Sequence, residues 1–147
     1  MLVLDDKSLE VMHKGLYHAF VQESETAGNL AFHPKFVSNN QRKFHKVLTE
    51  IEYELQNCDA FFISVAFITM SGITPLLQVF KELEQRDVPG RILTTDYLTF
   101  SEPRALKKLA ELKNIEVRMY RTQNKSAGFH TKGYIFRQEE IYRIIIG

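Results

Sequence analysis

The sequence predicts an α/β domain: a mixed, mostly parallel sheet flanked by helices. Three observations lead there. From residue 59 the chain turns continuously apolar, "AFFISVAFIT", and then amphipathic, "SGITPLLQVFKELEQ". The same alternation repeats through "GRILTT" (90–95), a stretch from Pro103 to about Lys113, and "IEVRMY" (115–120). Two last apolar stretches, "FHTKGYIF" and "YRIIIG", are separated only by "RQEEI". Strand–helix–strand repeats imply right-handed crossovers between parallel strands. A short polar break between two apolar runs implies an antiparallel hairpin.

Each element has its own signal. Leu9, Met12, Leu16 and Phe20 repeat at helical spacing, as do Phe44, Val47, Leu48, Ile51 and Leu55. Between them, "QESETAGNLAFHPKFVSNN" (22–40) is polar and holds Gly28 and Pro34, so it reads as an irregular connection. Residues 1–40 are therefore expected to be a helical segment with its connection, and residues 41–147 the domain proper. "AFFISVAFIT" is rich in aromatic and β-branched residues, which suits a strand covered on both faces. Ile73, Leu76, Leu77, Phe80 and Leu83 form one helical stripe, with Thr74–Pro75 as its expected N-cap and first turn. Ser101 is the expected cap of the helix that Pro103 opens. The chain stops at Gly147 directly after "YRIII", which reads as a fragment of something longer.

Composition narrows the function classes. At 147 residues, 44% hydrophobic and 25% charged, the chain is that of a globular protein able to bury a core. The N-terminus lacks a basic region followed by an apolar one, and no apolar run is long enough to span a bilayer. The lone Cys58 excludes an internal disulfide and a cysteine-cluster metal site. A cytoplasmic setting without membrane attachment is the expectation. The net charge of +1 hides an asymmetry, acidic up to residue 100 and basic beyond it. A basic last third suits a polyanionic partner, although charges scattered over solvated helix faces give the same count.

The chemistry concentrates in "GFHTKGYIF" (128–136). In an extended strand, side chains two apart share a face, roughly 6.5–7 Å from each other. His130 and Lys132 are thus expected to project together into one hollow, with Tyr134 following on that side. Phe129, Thr131, Gly133 and Ile135 point the other way. The pair suits a phosphate group. An imidazole can attack phosphorus or give a proton, and an ammonium can hold a non-bridging oxygen as negative charge builds.

Beyond this tripeptide, several blocks in order resemble the phospholipase D superfamily. They are "PKFVSNN", "CDAFFISVAFITMSG", "GRILTTDYLTFSEPRALKKL", "NIEVRMY" and "GFHTKGYIF…YRIIIG", over roughly residues 34 to 147. The resemblance is greatest to the domain of this type at the N-terminus of bacterial DEAD/DEAH-type helicases and restriction-like proteins. It implies a nuclease-like fold that stops before the family's G-S-x-x-N element. It also implies a metal-independent phosphodiesterase acting on DNA through a phosphohistidine, with no cofactor. His130 would be the nucleophile and Lys132 the phosphate ligand. A helicase or ATPase module would follow in the full protein. Because one H-x-K occurs here, a second histidine would come from a homodimer. The family aspartate falls at Arg137, and Gly147 would open the G-S-x-x-N element, so the carboxylate that orients His130 is left open. The alternative is a non-catalytic nucleic-acid-binding or dimerisation module.

Other residues complete the expected site. Ser71, in "TMSG" at the carboxyl end of the first strand, is placed to meet an anion or to form an ordinary turn. Thr95 and Asp96, in "TTDYL" after the second strand, reach either the cleft or the following turn. Tyr134 and these two hydroxyls, Ser71 and Thr95, form the expected substrate-binding set. Asp96 is the candidate for the missing carboxylate. His13, His18, His33 and His45 lack metal-ligand spacing and read as surface or packing residues.

Overall fold

The structure, a computed structural model, describes residues 37–39, 46–122 and 129–147. The chain divides after Lys46, and the described elements lie in the unit Val47–Gly147. The helix expected through Leu9 to Phe20, most of the connection 22–40, and His13, His18, His33 and His45 fall outside the described residues.

The unit is an α/β domain on a five-stranded mixed sheet. In chain order it comprises α1 (Val47–Asn57), β1 (Ala60–Val65), α2 (Met70–Ile73), a 3-10 turn (Thr74–Leu76) and α3 (Leu77–Gln85). Then come β2 (Gly90–Thr95), a 3-10 turn (Tyr97–Thr99), α4 (Pro103–Ala110), β3 (Ile115–Tyr120), β4 (Lys132–Gln138) and β5 (Ile141–Ile146). The spatial order is β3-β2-β1-β4-β5. β1, β2 and β3 run parallel, whereas β4 and β5 are antiparallel to their neighbours. The sheet is therefore evenly mixed rather than mostly parallel.

One face of this sheet carries the core. Phe61 and Ile63 of β1, Ile92 of β2, Ile115 of β3 and Phe136 of β4 are buried beneath Leu55, Val79, Phe80, Leu83, Ala105 and Leu109 of the helices. The Phe61 and Phe80 rings stack with centroids 5.7 Å apart. Helical spacing brought these apolar positions onto one side of each helix, as their periodicity required.

The other face departs from the expectation of cover on both sides. Phe62 is only half-buried, and Leu93, Tyr142, Ile144 and Ile146 are exposed. The reason is topological. β1, β2 and β3 advance in one direction across the sheet. Right-handed crossovers advancing one way place their helices on a single face.

Several local expectations also change. β1 ends at Val65, short of the apolar run, because residues 66–69 turn toward the start of α4. There the Glu102 amide donates to the Ile68 carbonyl at 2.8 Å. Helix formation begins at Met70, not Pro75. Thr69 is the cap and accepts the Gly72 amide at 3.2 Å, while Pro75 sits in the 3-10 turn. Ser101 does not cap α4; its hydroxyl instead accepts the Ile68 amide at 3.2 Å and donates to the Thr95 carbonyl at 3.3 Å. Glu102 takes the capping position with no side-chain cap bond, and its carboxylate accepts the Met70 amide at 3.0 Å. α4 closes at Ala110, before Lys113.

Cys58 packs at the end of α1 with no exposed surface, and burial pushes its thiol up to about 11. A filler role follows, since the thiolate is the reactive form. At pH 8 its alkylation by iodoacetamide will be at least about 100-fold slower in the folded chain than in urea. Equal rates would show that the α1–β1 corner opens freely.

Candidate functional site: the carboxyl edge of the sheet

Parallel strands gather their carboxyl ends at one edge, where the connecting loops can converge on a ligand. Here β1 ends at Val65, β2 at Thr95 and β3 at Tyr120. β4 runs the opposite way, so its first residue, Lys132, pairs with Val65 at that same edge. The backbone ladder continues beyond β4, for the Ala66 amide donates to the Thr131 carbonyl at 3.2 Å. One step further, the His130 ring lies 6.4 Å from the Phe67 ring.

Alternation along this ladder settles which side each residue takes. The Thr131 hydroxyl bonds Ser64 Oγ at 3.1 Å, on the face opposite the helices. Lys132 pairs with Val65 on the other side, and the His130 ring lies beside that of Phe67. His130 and Lys132 are both exposed, past the limit of the helical cover. Neighbours in a strand-like segment with side chains on one side can contact the same small anion.

The remaining expected residues divide. Tyr134 shares the face of Lys132 but is half-buried against the core, between Ile63 and Ile145, and burial raises its phenol pKa. Its ring serves packing instead of ligand contact. Thr95 has no exposed surface and its hydroxyl accepts the Tyr97 amide at 3.1 Å. The turn, not the cleft, uses it. Ser71 is exposed, but its hydroxyl pairs with the Thr69 cap at 3.1 Å. Of the five residues expected at the site, His130 and Lys132 both stand exposed at this edge.

Asp96 is committed elsewhere. Its Oδ1 accepts the Thr122 amide at 2.8 Å and the Thr122 hydroxyl at 2.7 Å, tying the loop after β2 to the end of β3. The Thr122 amide and then its hydroxyl hold the carboxyl below the ordinary aspartate value of 3.8. A depressed folded-state pKa contributes stability above the unfolded value, which disappears as pH falls through the folded one. The Asp96 side-chain carboxyl signal in a carbon-detected NMR titration will therefore have its midpoint below 3.8, and Thr122→Ala will move it upward. A midpoint at or above that value would remove the tie.

Arg137 occupies the position where a carboxylate was sought. It lies five residues along β4 from Lys132, about 17 Å in an extended strand, at the far end of the sheet. No side chain there reaches His130. The arginine therefore leaves the edge chemistry untouched.

Sequence reading missed the aromatic surroundings. Phe67 and Phe100 meet edge to face with centroids 5.8 Å apart, and Tyr120 lies 6.0 Å from Phe129. Phe67 was hidden inside an apolar run and Phe100 in a loop without a motif, so no local signal marked either. Among the described residues, no group of three His, Cys, Asp or Glu side chains could hold a metal. No described helix is long and apolar enough to cross a membrane. What the fold and edge define is an α/β domain with an exposed histidine–lysine pair where three parallel strands end. No family model matches the chain, and no curated protein matches it.

Proposed function

We propose that this is a phospholipase D-like phosphodiesterase domain acting on nucleic acid, DNA in the first instance, with His130 and Lys132 as its reacting pair. The single supporting observation is that both residues stand exposed at the carboxyl edge of the sheet. Lys132 holds a non-bridging phosphate oxygen. A His130 ring nitrogen attacks phosphorus, the bond to the leaving nucleoside oxygen breaks, and that oxygen takes a proton from a second acid. Water then attacks phosphorus and gives its proton to the group that served as the acid, the phosphorus–nitrogen bond breaks, and His130 is released. The second acid is the histidine of another copy, in a C2 homodimer. A helicase or ATPase module belongs to the same reading, through the resemblance alone.

The alternative, a binding module without catalysis, draws on Asp96. Among the described residues this was the carboxylate sought for His130, and it is occupied by Thr122. Both readings require phosphate contacts, which release counterions, so affinity for DNA will fall steeply as salt rises. Lys132→Ala will flatten that dependence by about one unit of slope in log affinity against log salt. A response to salt that the variant leaves unchanged would take Lys132 out of the site.

A further inference from the structure

The loops after β1 and β2 present apolar side chains to solvent, and Phe67 of the first lies beside His130. Phe67 is 40% exposed, Phe100 54%, Tyr97 41% and Leu98 57%. Free apolar side chains of this size ordinarily turn inward. Leu98 and Thr99 both have left-handed φ values, 51° and 53°, a conformation that costs free energy for a bulky or β-branched residue. The turn is pinned on every side: Thr95 Oγ1 takes the Tyr97 amide, Asp96 takes Thr122, and Ser101 takes the Ile68 amide. Phe67, on the loop after β1, links this turn to the site, with its ring beside Phe100 on one side and His130 on the other.

An aromatic face next to an anion-binding pair has one chemical match among nucleic acids. Unpaired bases stack on such faces, whereas a duplex keeps its bases covered and offers phosphates alone. The geometry points to single-stranded nucleic acid as the substrate class, with a base stacked on the exposed Phe100 ring while the adjoining phosphate lies at His130 and Lys132. This rests on the phosphodiesterase reading of the same edge and specifies what that reading leaves open.

Fluorescence anisotropy with three probes tests it: a short oligothymidylate, an abasic oligomer with the same number of phosphates, and a duplex of the same length. Oligothymidylate is expected to bind at least about tenfold more tightly than the abasic strand, the size of one stacking contact. Phe100→Ala is expected to reduce it to the abasic level, and Phe100→Trp to restore it. Circular dichroism checks that the variants fold. Equal affinity for oligothymidylate and the abasic strand, or a duplex bound as tightly as the single strand, overturns the stacking inference. Abasic binding that falls in Lys132→Ala keeps the phosphate reading standing in that event. Binding of none of the three probes overturns both.

Discussion

Replacing His130 by alanine will lower phosphodiester cleavage by about 1,000-fold, within the range for loss of a group that reacts with the substrate or moves its proton. It will leave the thermal unfolding temperature almost unchanged. The side chain is exposed at the edge and its described contact is the ring of Phe67. Surface positions of that kind usually contribute within about 0.5 kcal/mol. The separation of the two effects is what matters. A structural histidine would lower stability and activity together, whereas a reacting one lowers activity alone. If cleavage survives in His130→Ala at the native rate, the nucleophile lies elsewhere. If the native chain binds DNA through Lys132 but never cuts it, the binding-module reading holds.

The second large effect concerns the core beneath the site. Gly90→Ala will destabilise the domain by about 3 kcal/mol, the upper part of the usual overpacking range. Gly90 begins β2 directly opposite Phe61, and a Cβ at residue 90 would clash with the Cζ end of the Phe61 ring. That ring cannot swing away at little cost. It has no exposed surface and stacks on Phe80, which is itself almost fully buried. The glycine's φ is not positive, so the cost is one of space, not of backbone conformation. Chemical denaturation is the measurement, and a loss below 1 kcal/mol would mean that the Phe61–Phe80 stack yields readily. Phe61→Leu in the Gly90→Ala background should recover part of the loss, because it vacates the volume the new methyl group needs.

Much of this architecture was legible residue by residue. "GRILTT" and "IEVRMY" form β2 and β3 with the bounds read from the sequence, and the stripe of Phe80 and Leu83 faces the core as its period required. The alternation that turns Thr131 away from Lys132 was also local information, and Thr131 bonds Ser64 on that opposite face.

Partner choice was not legible. Thr74 and Ser101 read as helix caps from the sequence alone. Thr69 instead caps the first of these helices, and Ser101 is held by a turn that brings Ile68 against it, residues 33 apart. Thr95 and Asp96 were read as reaching the following turn sooner than the cleft. Thr95 does so locally, accepting the Tyr97 amide, whereas a tertiary contact assigns Asp96 to Thr122. Face coverage was equally hidden: Phe62 and Ile144 are as apolar as Phe61 and Ile63, yet they lie on the side that the crossovers do not reach. Apolar composition reports a tendency to be covered; the strand order decides which residues are.

The most direct test of the paired site needs no turnover. The side-chain nitrogens of His130 and Lys132 can be followed by NMR while a dinucleoside phosphodiester is titrated into the chain. One saturable event that moves both sets of signals with a single dissociation constant is expected, and Lys132→Ala should abolish the response at His130. Signals that move independently, or a phosphodiester that shifts other regions and leaves these two nitrogens unmoved, would contradict it.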